Sequence, residues 1–161
     1  MISEQNELNH QINLQQQQGI KQFLTFIMDD EEYGIDILTV REIRSWEDIT
    51  VLPNAPQFVK GVINLRGTIV PLIDLRLRFG LPSIEYGALT VVIIVKVEFE
   101  KGSKVMGVVV DAVSDVYSIA EHETKAVPHL SQLNDSEYVA GLVNVNDKMI
   151  ALIDLQKTMN I

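Results

Sequence analysis

The stretch Gly61–Leu75 reads GVINLRGTIVPLIDL, and a second version of it follows eighty residues later in the chain. Gly141–Leu155 reads GLVNVNDKMIALIDL, so six of the fifteen positions are identical, where average composition predicts about one. We interpret the two stretches as parts of an internal duplication, which constrains the fold before any single motif is considered. The copies differ at the turn, where Leu65–Gly67 (LRG) corresponds to Val145–Asp147 (VND).

The order of predicted strands in the first half of the chain returns in the second half. Alternating and continuous apolar runs predict about five short strands in each copy. Residues 34–43 are predicted to form one long strand, and the charged stretches 29–32 and 98–104 are interpreted as hairpin loops. The continuously apolar runs 91–95 and 106–110 indicate strands that are buried on both faces.

The predicted domain boundaries follow the repeat. Residues 1–20 are polar and include a run of glutamines, a composition that predicts a disordered tail. Residues 21–161 are expected to form one domain with two subdomains, about 21–87 and 88–161, joined near Ser83–Gly87. A unit of roughly 70 residues is marginal alone, so the subdomains are expected to share an apolar interface. The predicted fold class is all-β with short helices, in which two small barrels or curled sheets are fused.

Composition excludes several classes of function. The net charge of −9 argues against binding to nucleic acid or to an anionic membrane surface, since both need an excess of Lys and Arg. No apolar run approaches the roughly 20 residues of a membrane-spanning helix, so no membrane insertion is expected. The chain has no cysteine, and His10, His122 and His129 lack the spacing of metal ligands, so no metal or cofactor is predicted. A cytoplasmic location fits this composition.

Asp74 and Asp154 occupy matching places in the repeat and are the one pair that resembles a catalytic dyad. Two lobes that each contribute one Asp would match the plan of an aspartic protease. Those enzymes need Asp followed by Thr or Ser and then Gly, whereas Leu-Arg and Leu-Gln follow here. The alternatives are therefore a two-lobed hydrolase and a pair of helix N-caps, for which Asp at a strand-to-helix corner is well suited. We predict no enzyme.

All five arginines lie in the first half of the chain, and Arg is favoured over Lys where planar, multi-donor contacts form. Arg66 lies at a predicted hairpin tip, where it can pair with Glu42, face a partner, or do both. Arg76 and Arg78 are interpreted as ordinary exposed residues of a short helix. Trp46 is the only Trp, and both an exposed interface anchor and partial burial against a barrel are consistent with its polar neighbours.

Several longer strings can be compared with known families. The strings are EYGIDI (32–37), VREI (40–43), PNAPQFVKGVINLRG (53–67), IVPLIDLR (69–76), VVDAVSDV (109–116) and YVAG (138–141). Together they resemble the CheW family of bacterial chemotaxis coupling proteins, over about residues 20–161. The Asn-Leu-Arg-Gly hairpin within its apolar flanks is the most specific of these signals.

The resemblance implies two SH3-like five-stranded barrels around a shared hydrophobic core. It also implies a non-enzymatic adaptor that joins methyl-accepting chemotaxis receptors to the regulatory domain of the histidine kinase CheA at receptor arrays on the inner face of the membrane. Other CheW copies are possible ring partners, and an adaptor of a twitching or other non-flagellar array is the alternative. The receptor-binding residues that the resemblance implies are Glu42, Ile43, Asn64, Leu65, Arg66 and Gly67.

Overall fold

Ten strands form the fold, in a computed structural model that describes residues 4–10, 19–47, 49–128 and 137–161. The first copy of the repeat contains β1 (Ile20–Met28), β2 (Glu31–Asp36), β3 (Val40–Ser45), β4 (Val59–Leu65), β5 (Thr68–Asp74) and helix α2 (Leu75–Arg78). The second copy contains β6 (Val91–Phe99), β7 (Gly102–Val110), β8 (Ala112–Ala120), β9 (Val139–Val145), β10 (Lys148–Ile153) and helix α3 (Leu155–Thr158). Each copy thus has five strands and a short helix in the same order.

The N-terminal segment contributes little to this body. Residues 4–10 form helix α1, whose side chains are all exposed. Residues 1–3 and 11–18 lie outside the described part of the chain, so the disorder expected for the tail 1–20 stays a prediction. Within the described residues, no helix is both long enough and apolar enough to cross a membrane.

The strands form two five-stranded sheets. Sheet A has the order β8-β1-β2-β10-β9, and sheet B has the order β3-β6-β7-β5-β4. Neighbouring strands are antiparallel except for two parallel pairs, β2 with β10 and β5 with β7. The predicted all-β class with two five-stranded units is confirmed.

The two sheets do not coincide with the two copies of the repeat. Each sheet combines the first two strands of one copy with the last three strands of the other. Sheet B is continuous from residue 40 to residue 110, and sheet A takes its strands from 20–36 and 112–153. The boundary expected at 87/88 therefore falls inside sheet B, where Ser83–Gly87 belongs to the connection between β5 and β6.

Two short corners cause this exchange of strands. The 3-10 turn Ile37–Thr39 is all that separates β2 in sheet A from β3 in sheet B. The side chain of Asp36 accepts a hydrogen bond from the amide of Leu38 (3.0 Å), and Thr39 Oγ1 donates to the carbonyl of Asp36 (2.7 Å). The single long strand predicted over 34–43 is thus wrong, because these bonds turn the chain after Asp36. Asp111 alone makes the matching corner between β7 and β8.

The parallel pairs depend on a glycine in each copy. Gly34 lies opposite Leu152 between β2 and β10, and Gly107 lies opposite Leu72 between β7 and β5. A Cβ atom on Gly107 would lie 2.4 Å from Cδ2 of Leu72, and one on Gly34 would lie 3.2 Å from Cδ2 of Leu152. Each leucine occupies the space that a side chain on the glycine would need. The repeat therefore extends beyond the quoted hairpins into β2 and β7.

Each sheet closes into a barrel through one further pair of residues. In sheet B, Thr50 follows edge strand β3 and exchanges two backbone hydrogen bonds with Val62 of the opposite edge strand, β4. In sheet A, Lys125 follows edge strand β8 and makes the same exchange with Leu142 of β9. The two closures lie at matching places in the repeat.

Apolar residues form three clusters, one inside each barrel and one between the two sheets. Strand β6 shows the division, because Val92 and Ile94 face the interior of sheet B whereas Ile93 and Val95 face the cluster between the sheets. This two-sided burial confirms the interpretation of the apolar run 91–95. The inter-sheet core includes Leu24, Phe26, Met28, Tyr33 and Ile35 of sheet A and Ile73, Ile93, Val95, Val97, Met106, Val108 and Val110 of sheet B. A shared core therefore holds the two sheets together.

The β1–β2 and β6–β7 turns are shorter than the loops predicted from the charged stretches 29–32 and 98–104. Only Asp29 and Asp30 lie outside the strands in the first of them, since Glu31 and Glu32 belong to β2. Within 98–104, only Glu100 and Lys101 form the turn. The loops predicted over 29–32 and 98–104 are each reduced to a two-residue turn, because strand pairing continues up to Met28 with Glu31 and Phe99 with Gly102.

A buried ion pair fixes the corner beside α2. The Arg76 guanidinium donates to both carboxylate oxygens of Asp111 (2.8 and 2.9 Å), lies 3.4 Å from Asp29, and donates to the carbonyl of Pro82. The hydrogen bond to Asp111 raises the pKa of the Arg76 guanidinium, against the opposing effect of burial. The expectation that Arg76 is an ordinary exposed residue is therefore wrong.

Arg78 also makes contacts within the molecule. Its guanidinium lies over the rings of Phe58 and Tyr138 and donates to the carbonyls of Thr158 and Asn160. The two helical arginines therefore tie α2 to the rest of the molecule, Arg76 to the β7–β8 corner and Arg78 to the end of α3.

Candidate partner-binding site

The β4–β5 hairpin presents Arg66 at its tip. Arg66 and Gly67 are the two residues between the strands, and both have positive φ (51° and 88°), as a type I′ hairpin turn requires. The side chain of Asn64 accepts a hydrogen bond from the amide of Gly67 at 2.8 Å and so fixes the turn. Asn64 and Gly67 thus shape the turn, and the Arg66 side chain is 74% exposed.

Arg66 holds this position in a strained backbone conformation. A non-glycine residue in the left-handed region costs about 1 kcal/mol, and Asn and Asp tolerate the region better than Arg. In the β9–β10 hairpin, Asn146 and Asp147 occupy the corresponding positions with φ values of 52° and 65°. The two turns thus share one backbone conformation, and the first carries an Arg where the second carries a residue suited to it.

An ion pair joins the hairpin tip to β3. Nη2 of Arg66 lies 2.8 Å from Oε2 of Glu42, whose side chain is 30% exposed. The expected pairing of these two residues is present. Exposed ion pairs contribute about 0–1 kcal/mol to folding, because water and salt screen them. The pair therefore orients Arg66 without contributing much to the stability of the barrel.

Two further charged residues extend this pair along the barrel, and sequence reasoning missed both. Arg44 lies 3.8 Å from Glu42 and makes a closer ion pair with Glu47 at 2.7 Å. Positions 42 and 44 share one face of β3, since side chains alternate along a strand. That spacing is the signal that could have placed Arg44 beside Glu42.

Ile43 and Leu65 have different surroundings from the charged residues. Ile43 pairs across the strands with Ile93, whereas Glu42 pairs with Ile94, so the two neighbours face opposite sides of sheet B. Ile43 is 46% exposed on the side that carries the inter-sheet core. Leu65 packs against the core inside sheet B. The structure therefore brings Glu42, Asn64, Arg66 and Gly67 together, with Ile43 on the other face of β3 and Leu65 partly buried against the core inside sheet B.

Asp74 and Asp154 are helix caps. Asp74 is the last residue of β5 and Asp154 directly follows β10. Each side chain accepts an amide hydrogen from the following helix, from Leu77 (3.2 Å) and Lys157 (3.1 Å) respectively. Asp74 also accepts a hydrogen bond from the hydroxyl of Tyr86, and burial together with this bond raises the pKa of that phenol. The capping interpretation is confirmed, and the two carboxylates follow strands of different sheets.

Other candidate residues are placed as follows. Trp46 is partly buried, packs against the core inside sheet B, and lies 4.2 Å from the ring centre of Tyr86. Among the described residues, no group of three or more His, Asp or Glu side chains could hold a metal ion. His129 lies outside the described residues.

Known proteins share the sequence pattern and the fold of this chain. A family model described as the CheW-like domain matches residues 22–161. The chain belongs to the CheW family. The chemotaxis protein CheW of Klebsiella aerogenes is 42% identical over 140 residues, which cover 87% of this chain and 82% of that protein. The chemotaxis protein CheW of Helicobacter pylori is 30% identical over 160 residues, covering 99% of this chain and 93% of the relative.

A solved CheW structure shares the fold. The crystal structure of the scaffolding protein TtCheW from Thermoanaerobacter tengcongensis matches with a TM-score of 0.78 and 35% identity. The match covers 88% of this chain and 93% of that one. The resemblance drawn from the sequence is confirmed, as is membership in a CheW family of chemotaxis scaffold proteins.

Proposed function

We propose that this CheW-family chain is a non-enzymatic adaptor that couples chemoreceptors to the histidine kinase CheA. Its place would be in the cytoplasm, at receptor arrays. Membership of the family supports this proposal, as does the name of the scaffolding protein whose fold it shares. In this proposal the Arg66 hairpin tip and Glu42 form the receptor-binding surface, and Ile43 extends it around edge strand β3 to the opposite face. Asn64 and Gly67 hold the turn, and Leu65 anchors the hairpin to the barrel.

The observation that carries the proposal is the difference between Arg66 and Asn146. Both residues occupy the same strained position of equivalent turns. Asn is well suited to that conformation, whereas Arg is not and gains only an exposed ion pair in return. The fold itself therefore gives no strong reason for an Arg at the first tip. Contact with a partner provides one.

The Arg66–Glu42 ion pair suggests how receptor binding would affect the adaptor. The Arg66 guanidinium carries five N–H donors, and within the described residues its one hydrogen bond to a side chain is to Glu42. A receptor carboxylate or carbonyl can take further donors, or replace Glu42 altogether, at small cost to the adaptor. Because the tip is held by a fixed turn and a closed barrel, a small movement of the receptor would change which partner Arg66 contacts. The bound kinase would then shift between active and inactive populations.

Receptor-dependent kinase activation tests this role. We expect the Arg66→Glu variant to fold, to lose co-sedimentation with a receptor signalling fragment, and to fail to restore CheA activity in a reconstituted assay. The reversed charge would repel Glu42 as well as any carboxylate partner. Asn146→Glu is the matched control, because it adds a negative charge to the equivalent tip of the other barrel. Normal activation by Arg66→Glu, or equal loss in both variants, would refute the assignment of Arg66.

A further inference from the structure

A cleft of about 570 Å³ lies between the β6–β7 hairpin and α3, and none of the residues that line it belongs to the β4–β5 hairpin. Phe99 and the hairpin turn line one side of it, and the end of α3 lines the other. The amide of Gln156 joins the two sides by donating a 2.7 Å hydrogen bond to the carbonyl of Glu98. The cleft lining includes the side chains of Phe99, Lys101, Lys104, Gln156 and Lys157.

The cleft is basic in an acidic protein. It is lined by Lys101, Lys104 and Lys157 and by one carboxylate, Glu100, while the whole chain has a net charge of −9. Among the described residues, none of these three lysines forms an ion pair. Three cations in one cleft repel one another, so an external negative charge would be favoured there.

The equivalent corner of the first copy shows that this arrangement is not imposed by the fold. There, Arg76 occupies the position that Gln156 has in the second copy, and its charge is satisfied internally by Asp111 and Asp29. The β6–β7 hairpin is also longer, since Gly102 begins its strand five residues before Gly107, whereas Glu31 begins its strand three residues before Gly34. The extension adds the wall that makes the cleft.

The cleft also offers an apolar surface beside its charges. The ammonium group of Lys104 lies 5.5 Å from the ring centre of Phe99, so a cation is held over an aromatic face. A ligand that pairs a carboxylate with an apolar side chain can use both features. An acidic protein segment with interspersed apolar residues has this chemistry.

We propose that the cleft between the β6–β7 hairpin and α3 binds an acidic segment of a partner protein. A long polyanion is disfavoured, because the remainder of this acidic surface repels a nucleic acid or an anionic membrane. A short acidic segment contacts only the local basic region. This second contact is independent of the Arg66 hairpin, so the two proposals can fail separately.

An NMR titration with an acidic peptide tests the inference. The probe is a peptide of alternating Glu and Leu, titrated into the isotopically labelled full-length chain, with a Gln-for-Glu peptide as its comparison. We expect the amide signals of Gly102, Ser103 and Gln156 to shift with the acidic peptide alone, and the shifts to decrease as salt is raised. Replacing all three cleft lysines by Gln should weaken binding about tenfold, since each exposed ion pair contributes modestly.

A charge-matched variant makes the test specific. Replacing Lys21, Lys125 and Lys148 by Gln removes three positive charges from sheet A and its closing pair. The peptide affinity of this variant should stay within about twofold of that of the unmodified chain, because salt screens distant charges. The inference is wrong if the acidic peptide does not bind, or if both triple variants lose binding equally. It is also wrong if single-stranded RNA or phosphatidylserine vesicles displace the peptide and depend on the same three lysines.

Discussion

The β4–β5 and β9–β10 hairpins share a backbone and differ in what they present. Both begin beside a barrel-closing residue pair, turn through two residues with positive φ, and end at an Asp that caps a short helix. Only the first turn carries a cation, Arg66, which is paired with Glu42. The shared features are those that close and cap a barrel, so the two hairpins differ in the exposed residues at their tips.

The two corners beside α2 and α3 also differ, and here the cation of the first copy is bonded inside the molecule. Arg76 is buried and bonded to Asp111 in the first copy, whereas Gln156 bonds a single carbonyl in the second. The first copy thus uses one arginine for stability and another at an exposed tip. The second copy leaves its cations, all lysines, on the surface. The same repeat supports both uses because its strands and caps determine the fold.

The largest expected effect concerns the exchange of strands between copies. A fragment of residues 1–87 should not fold, because β1 and β2 lack β8 and β10, and β3 lacks its neighbour β6. Circular dichroism of the purified fragment should show no cooperative unfolding transition. As a control, the full chain with a protease site within Ser83–Gly87 should remain folded after cleavage, with both pieces associated. Cooperative folding of the isolated fragment would show that each copy is self-sufficient.

A smaller effect is expected at the two corners. Arg76→Leu should lower the free energy of unfolding by about 3 kcal/mol, because it leaves Asp111 and Asp29 near each other without their cation. Gln156→Leu should cost less than about 1 kcal/mol, since one exposed hydrogen bond is lost. Urea denaturation of both variants measures the difference. Similar values for the two would mean that the corners contribute equally to stability.

The smallest effect is expected from exchanging the hairpin tips. Asn146→Arg should cost about 1 kcal/mol, because Arg is disfavoured at positive φ. Arg66→Asn should change stability by less than about 0.5 kcal/mol, since relief of the same strain offsets the loss of an exposed ion pair. Thermal unfolding of the two variants compares them. A large loss of stability in Arg66→Asn would assign Arg66 to the fold.

Much of the fold could be predicted from local patterns. Apolar periodicity predicted the number of strands and the two-sided burial of β6. The position of Asp74 and Asp154 at strand-to-helix corners predicted their capping roles, and both kinds of signal depend only on neighbouring residues. The pairing of β2 with β10 could not be predicted. Gly34 could pack against Leu72 of its own copy or against Leu152 of the other copy. The short corners at Ile37–Thr39 and Asp111 place it against Leu152. That choice depends on long-range packing.

The candidate site was predictable to the extent that it depends on a turn. The hairpin motif identified Arg66 and its exposed position, and strand alternation placed Glu42 within reach. The burial of Arg76 was missed, because its partner Asp111 lies 35 residues away and has no local signal. Arg44 was missed although its spacing from Glu42 placed it on the same face.

The path of the chain through the two sheets has a consequence for the order of events during synthesis. Every strand of sheet B lies between residues 40 and 110, so all five strands of that barrel are synthesised before β8, β9 and β10 of sheet A. Strands β1 and β2 leave the ribosome first, but their sheet partners β8 and β10 come from the final third of the chain. Strands β1 and β2 are therefore synthesised before any strand of sheet B but complete their own sheet after it, and the apolar face of β1 stays without its partner β8 during that interval.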